Sequence, residues 1–189
     1  MNPKEIEAVM LMGESERIRD KPFTKVKGKE LFKYGHETLK RVFRDVLIVC
    51  VKDMGDRLGG YRFVVEDYGI GPLGAIYGGV GNTTSEYIFV TGCDMPLLSE
   101  KAIGFLCGKV KRDGVVPVYG DGKLEPLHSL YRRKKILELD ILKRGGRIMD
   151  LIREMDMEFI PVNEIKRYDP GLLTFRNINT EGDIRDFVK

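Results

Sequence analysis

Glutamine is absent from this 189-residue chain, asparagine occurs five times, cysteine three times and histidine twice. Scarce thermolabile amides beside abundant lysine and glutamate fit a heat-adapted source. Cys50, Cys93 and Cys107 are odd in number and widely spaced, with no C-x-x-C. That pattern argues against a disulfide framework and a structural zinc site, and a reduced cytoplasm is the expected setting. No apolar run approaches the roughly 18 residues needed to span a bilayer, and Met1-Asn2-Pro3-Lys4-Glu5 lacks the look of a signal peptide. No membrane association is expected. An excess of one charge is missing too: 32 Lys+Arg against 29 Asp+Glu leave +3, too little for a basic nucleic-acid face. Hydrophobic residues at 42% and charged residues at 32% supply a core and a soluble surface. No repeat or Pro/Ser-rich linker interrupts them, so a single domain over residues 1–189 is expected.

The hydropathy pattern alternates. Ala8 to Met12, Val46 to Val51, Tyr61 to Val65 and Tyr87 to Val90 are short apolar runs that read as buried strands. Between them lie an amphipathic helix from Glu30 to Phe43 and a helix opened by Gly71-Pro72 that runs from Leu73 to about Gly78. Ser99 caps another helix that ends near Lys109. Continuous apolar strands alternating with helices predict a mostly parallel sheet covered on both faces. In the second half, Gly114 to Tyr119 reads as a strand, Gly120 to Lys123 as a tight turn, and Leu124 to Tyr131 as its antiparallel return. Helices are expected over Lys134 to Lys143 and Ile148 to Met155, a late strand over Glu158 to Val162, and a terminal helix capped by Thr180.

In such sheets ligands bind at the carboxyl ends of the strands, and the polar oddities sit there. Gly13-Glu14-Ser15-Glu16-Arg17, with Lys21 following, has the parts of a phosphate cradle: turn amides, a guanidinium fork and a point charge. It has neither P-loop nor dinucleotide-fingerprint spacing, and a charged solvent loop is the plain alternative. Asp94, in Gly92-Cys93-Asp94-Met95-Pro96, stands where a carboxylate can hold Mg²⁺, or can merely enter a helix. Cys93 has no thiol-enzyme signature around it. Asp67, before Gly69, Gly71 and Gly74, is placed for a ligand hydroxyl or for a helix cap. Alternation puts Asn177 and Asn179 on one face of an extended segment, as a polar clamp or as turn formers. His128 and the methionines read as structural.

Taken in order, these segments resemble the molybdenum cofactor guanylyltransferases. The family pattern of L-A-G-G-x-S-x-R-M-G-x-D-K, an Asp before G-P-L-x-G, C-D-M-P and N-[IV]-N-T-x-x-D/E falls on Met10 to Lys21, Asp67 to Gly74, Cys93 to Pro96 and Asn177 to Asp183. A weaker family-like stretch runs from Glu125 to Tyr131. The resemblance implies a three-layer α/β/α, Rossmann-like nucleotidyltransferase fold, its sheet mostly parallel with an antiparallel strand. It implies GMP transfer from GTP to the terminal phosphate of molybdopterin, with pyrophosphate released and Mg²⁺ as cofactor. The implied partners are GTP, molybdopterin or molybdenum cofactor, and cofactor biosynthesis and delivery proteins. By match, Arg17, Lys21 and Asp94 form the catalytic set. Met10, Leu11, Met12, Gly13, Lys21, Asp67 and Asp94 line the nucleotide, Asp94 holds the metal, and Asn177 and Asn179 face the pterin.

Four departures from the pattern bear on base preference more than on phosphate binding. Met12 replaces the first family glycine and brings a side chain where backbone should approach the nucleotide. The Arg17–Lys21 interval is one residue short. Ala75 replaces the last glycine of G-P-L-x-G. Val49 to Lys52 lacks the family's asparagine. A molybdopterin cytidylyltransferase, a sugar-phosphate nucleotidyltransferase and a degenerate nucleotide-binding protein are the competing readings.

Overall fold

A computed structural model of the chain describes residues 1–13 and 20–188. Strand β1 (Glu7–Met12) is followed by a small hairpin, β2 (Lys25–Val26) and β3 (Lys29–Glu30). Then come α1 (Leu31–Val42), β4 (Asp45–Cys50), β5 (Phe63–Val65), α2 (Gly71–Gly81), β6 (Tyr87–Gly92) and α3 (Glu100–Lys109). The second half adds β7 (Gly114–Val118), β8 (His128–Arg132), α4 (Arg133–Leu139), α5 (Ile148–Glu154), β9 (Met157–Pro161), α6 (Val162–Ile165) and α7 (Glu181–Val188). No helix among the described residues is long and apolar enough to cross a membrane.

Seven strands form one sheet in the order β5-β4-β1-β6-β8-β7-β9. All are parallel except β8, which runs against both β6 and β7. Both faces are covered, so the central strands are buried along their whole length, as their unbroken apolar runs require. Ala8, Met10 and Met12 pack into the layer with α1 and α3, whereas Val9 and Leu11 face α2 and the α4–α5 layer. The three-layer α/β/α architecture with one inverted strand is the expected one.

Most element boundaries shift by one or two residues from the sequence reading. The helix expected over Lys134 to Lys143 stops at Leu139, because Asp140 takes a left-handed conformation (φ 50°) that ends it. The return strand is shorter than its apolar run and begins only at His128. It pairs with β6 as well as β7, an arrangement the local pattern does not encode. The β2–β3 hairpin has two-residue strands, too short to leave a periodic signal.

Helix α2 carries five glycines among its 11 residues, a composition costly to a helix by propensity. Close approach accounts for three of the five: a Cβ on Gly79 would lie 2.5 Å from Val9 Cγ1, and one on Gly74 or Gly78 would lie 3.0 or 2.9 Å from Glu66. Gly79→Ala should therefore destabilise by about 1–3 kcal/mol despite its better helix propensity, because overpacking outweighs the gain of roughly 1 kcal/mol. Urea titration measures the sign.

Candidate functional site

The chain passes from β1 out to β4 and β5 on one side and returns to β6 on the other, so the strand order reverses beside β1. At that reversal the carboxyl tips are tied together: Val51 N–H donates to Met12 O (3.4 Å), and Cys93 N–H to Leu11 O (3.0 Å). A cavity of about 310 Å³ opens there. Leu11, Val51, Pro72, Ala75 and Leu127 form its apolar wall; Gly13, Lys21, Gly92 and Asp94 bring polar groups to it.

Lys21 opens a 3₁₀ turn, Lys21–Phe23, whose Pro22 is preset for the first helical positions. Phe23 anchors the turn edge-on to Phe32 of α1. Arg57 braces it from outside, 3.6 Å above the Phe23 ring and paired with Asp20 at 3.0 Å. Lys21 is itself only 7% exposed. A buried ammonium needs partners, and among the described residues it has two: Asp94 Oδ2 at 2.8 Å and Asn179 Oδ1 at 3.0 Å. These three residues come from far-separated stretches of chain and meet at one point. Asp94 is seated by Gly92, since a Cβ there would lie 2.5 Å from Asp94 Oδ1.

Asn177 and Asn179 are exposed while Ile178 between them is fully buried, so both amides share one face of the segment. Ile178 N–H donates to Asp94 O at 2.9 Å, which brings Asn179 to Lys21. Neither asparagine is part of the cavity wall; Asn179 reaches the site through its bond to Lys21. Asp67 is exposed on the β5–α2 loop, outside the cavity wall. Its neighbour Glu66 turns inward and accepts from Tyr68 N–H (2.8 Å) and Gly69 N–H (3.3 Å), which folds that loop. Arg17 lies outside the described residues. Leu11 and Gly13 border the cavity, whereas Met10 and Met12 are buried in the core. The Met12 side chain expected beside the nucleotide points instead into the α1–α3 layer.

Of the cavity residues, Gly92 and Leu127 stood inside noted segments without a role, Val51 closed an apolar run, and Pro22 was not singled out. Pro22 follows Lys21 directly, and that adjacency is the signal the sequence carried for it. The three cysteines are buried, and burial pushes Cys50 up to about 11 and Cys93 and Cys107 up to about 12, so they stay protonated thiols. Burial drives His128 down to about 3, which leaves its imidazole neutral. The site has neither thiolate nor imidazole base. Among the described residues it offers one buried cation, one carboxylate and an amide beside an apolar slot, a set suited to a phosphorylated ligand with a flat apolar group.

A Mg²⁺ ion fits that donor set. Magnesium commonly keeps several waters and takes one or two carboxylates together with substrate phosphates. Asp94, with its side chain 24% exposed at the cavity, supplies one. Among the described residues no group of three or more His, Cys, Asp or Glu could hold an ion alone.

Comparison with known proteins agrees. A family model described as MobA-like NTP transferase domain matches residues 8–158. A probable molybdenum cofactor guanylyltransferase of Thermococcus gammatolerans is 31% identical over 189 residues, covering 95% of this chain and 96% of its own. Another, of Methanosarcina acetivorans, is 36% identical over 123 residues, and that match spans 62% of this chain and 55% of the relative. Among solved structures, molybdopterin-guanine dinucleotide biosynthesis protein A of Archaeoglobus fulgidus superposes with a TM-score of 0.82 at 22% identity over 95% of each chain, a likeness of fold. A family model running from β1 to the start of β9 and a relative matched nearly end to end place the chain in the MobA-like NTP transferase family, as a nucleotidyltransferase.

Proposed function

We propose that this chain transfers GMP from GTP to the terminal phosphate of molybdopterin. An oxygen of the pterin phosphate attacks the α-phosphorus of GTP. The bond from that phosphorus to the bridging oxygen of the β-phosphate breaks, and pyrophosphate leaves with the electron pair. The attacking group is already an ionised phosphate, so no protein base or nucleophile is needed. That suits a site whose cysteines are protonated and whose buried histidine is neutral.

Catalysis then rests on alignment and charge neutralisation. Lys21 holds the triphosphate and meets the charge that grows on the leaving pyrophosphate. Arg17 adds a second cation by its place in the family pattern. Asp94 holds Mg²⁺, which when bound supplies Lewis-acid neutralisation of phosphate oxygens. Leu11 and Gly13 line the nucleotide, Asp67 reaches the nucleoside from the rim, and Asn177 and Asn179 face the acceptor.

The observation that carries this reading is the 2.8 Å Lys21–Asp94 pair at a strand-end cavity, in a chain matched nearly end to end by a relative bearing that name. Purified protein given molybdopterin, Mg²⁺ and GTP, CTP or ATP in turn should release pyrophosphate with GTP. Preference for CTP would replace the guanylyl reading, and GTP binding without pyrophosphate release would make the chain a binding protein.

A further inference from the structure

Residues 169–180, without strand structure and with one 3₁₀ turn at Leu173–Phe175, form a strap that carries Asn177 and Asn179 to Lys21 and Asp94. A strap without a strand ladder owes its position to a few anchors, and one group of these, at Thr174, is polar and buried. Thr174 is fully buried, and its N–H donates to Asp169 Oδ2 at 2.8 Å. Its hydroxyl accepts from Ser99 N–H at 3.1 Å, at the cap of α3. The same Oγ1 lies 3.3 Å from His128 Nε2, and the two share one hydrogen.

His128 is fully buried and held edge-on between Phe89 and Phe175, at 5.1 and 4.9 Å. Its Nδ1 has no hydrogen-bond partner among the described residues, so the contact with Thr174 is the polar reason for an imidazole in this apolar place. The ring stays neutral, so proton transfer is not its task. His128 pairs in register with Thr91 of β6, three residues before Asp94. One hydroxyl thus joins β8, the α3 cap and the strap on the route to Asn179.

We propose that His128 and Thr174 are positioning residues: their buried contact fixes the strap presenting Asn177 and Asn179, and through it the hold on the acceptor phosphate. This inference rests on the guanylyltransferase reading for the identity of the acceptor alone. The cavity is lined from β1, the ends of β4 and β6, α2 and the Lys21–Pro22 turn, with Leu127 beside His128; Thr174 itself is not among its wall residues, and the strap meets it at Asp94 and Lys21.

The test is Thr174→Val, nearly isosteric but without the hydroxyl, beside Thr174→Ser, which keeps it. Loss of one buried hydrogen-bond acceptor should raise KM for molybdopterin by about tenfold. The dissociation constant for GTP, measured by calorimetry, should stay within about twofold, and Thr174→Ser should restore the acceptor KM. Amide exchange at Ile178, bonded to Asp94 O, should accelerate by a similar factor in the free protein. His128→Leu, which leaves Thr174 bonded to Ser99, serves as the second variant and should show the same split. Unchanged acceptor KM and unchanged Ile178 exchange in folded variants would overturn the proposal, as would an equal loss of GTP and acceptor binding. If the wild-type protein gave no guanylyl transfer, the functional reading would fail while Ile178 exchange still decided the linkage.

Discussion

Asp94→Asn and Lys21→Ala should each lower kcat by about 10²–10³-fold, with GTP affinity falling less. That is the scale of removing one preorganised charge-stabilising group from a transition state. The two charges touch at 2.8 Å in the free protein, so their effects should not add: the double variant should cost little more than the worse single one. Single-turnover measurement of pyrophosphate release checks both statements. Additive losses would mean that the two residues act on separate steps. Neither variant should unfold the protein, since the Asp94 side chain is 24% exposed and can be hydrated when Lys21 is gone.

The largest expected loss of stability lies at the opposite end of the sheet. Glu7 is only 2% exposed at the start of β1. It accepts from Thr84 N–H (2.6 Å) and Ser85 N–H (2.8 Å), and pairs with Arg62 (2.8 Å) and Arg44 (3.1 Å). Burial opposes its ionisation, but Arg62 and the two backbone donors outweigh burial and hold the carboxyl near a pKa of about 2. Glu7→Ala leaves the buried Ser85 N–H and the part-buried Thr84 N–H without an acceptor and should cost about 3 kcal/mol. That is the low end for a broken buried pair, because both arginines keep access to water. The sign with pH follows. The unfolded carboxyl titrates near 4.5 and the folded one near 2, so between those values the unfolded chain binds more protons. The contribution of Glu7 is complete above about pH 5 and is lost as pH falls toward 2. Urea midpoints at pH 7 and pH 3 should differ more for wild type than for Glu7→Ala. Nucleotide binding at pH 7 should be unchanged, since Glu7 lies at the end of β1 remote from the cavity.

The sheet was legible because β1, β4 and β6 are buried on both faces and therefore read as unbroken apolar runs. The location of the site followed from the polar residues after those runs. What local pattern cannot carry is pairing at long range. Nothing near Lys21 or Asn179 announces that they meet across 158 positions, and only the family order of motifs brings them together. Met12 shows the same limit in reverse. In a strand apolar on both faces, parity does not tell which face meets the cavity, so its side chain was placed beside the nucleotide when it packs into the core. Helix α4 ends on Asp140, where a left-handed backbone interrupts a pattern that otherwise reads as helical.

The inverted direction of β8 decides where new sequence can be accommodated. The parallel strands β1, β4, β5 and β6 deliver their outgoing segments to the cavity, but β8 delivers its incoming one, which is how Leu127 reaches the wall. Insertions or deletions between Tyr119 and Leu127 would therefore remodel the mouth of the cavity without disturbing the sheet. Changes just after Arg132 fall at the remote rim, beside Glu86, where Arg133 N–H is tied to Glu86 O. Lineages that adapt this scaffold to bulkier acceptors have the β7–β8 connection as the segment free to lengthen.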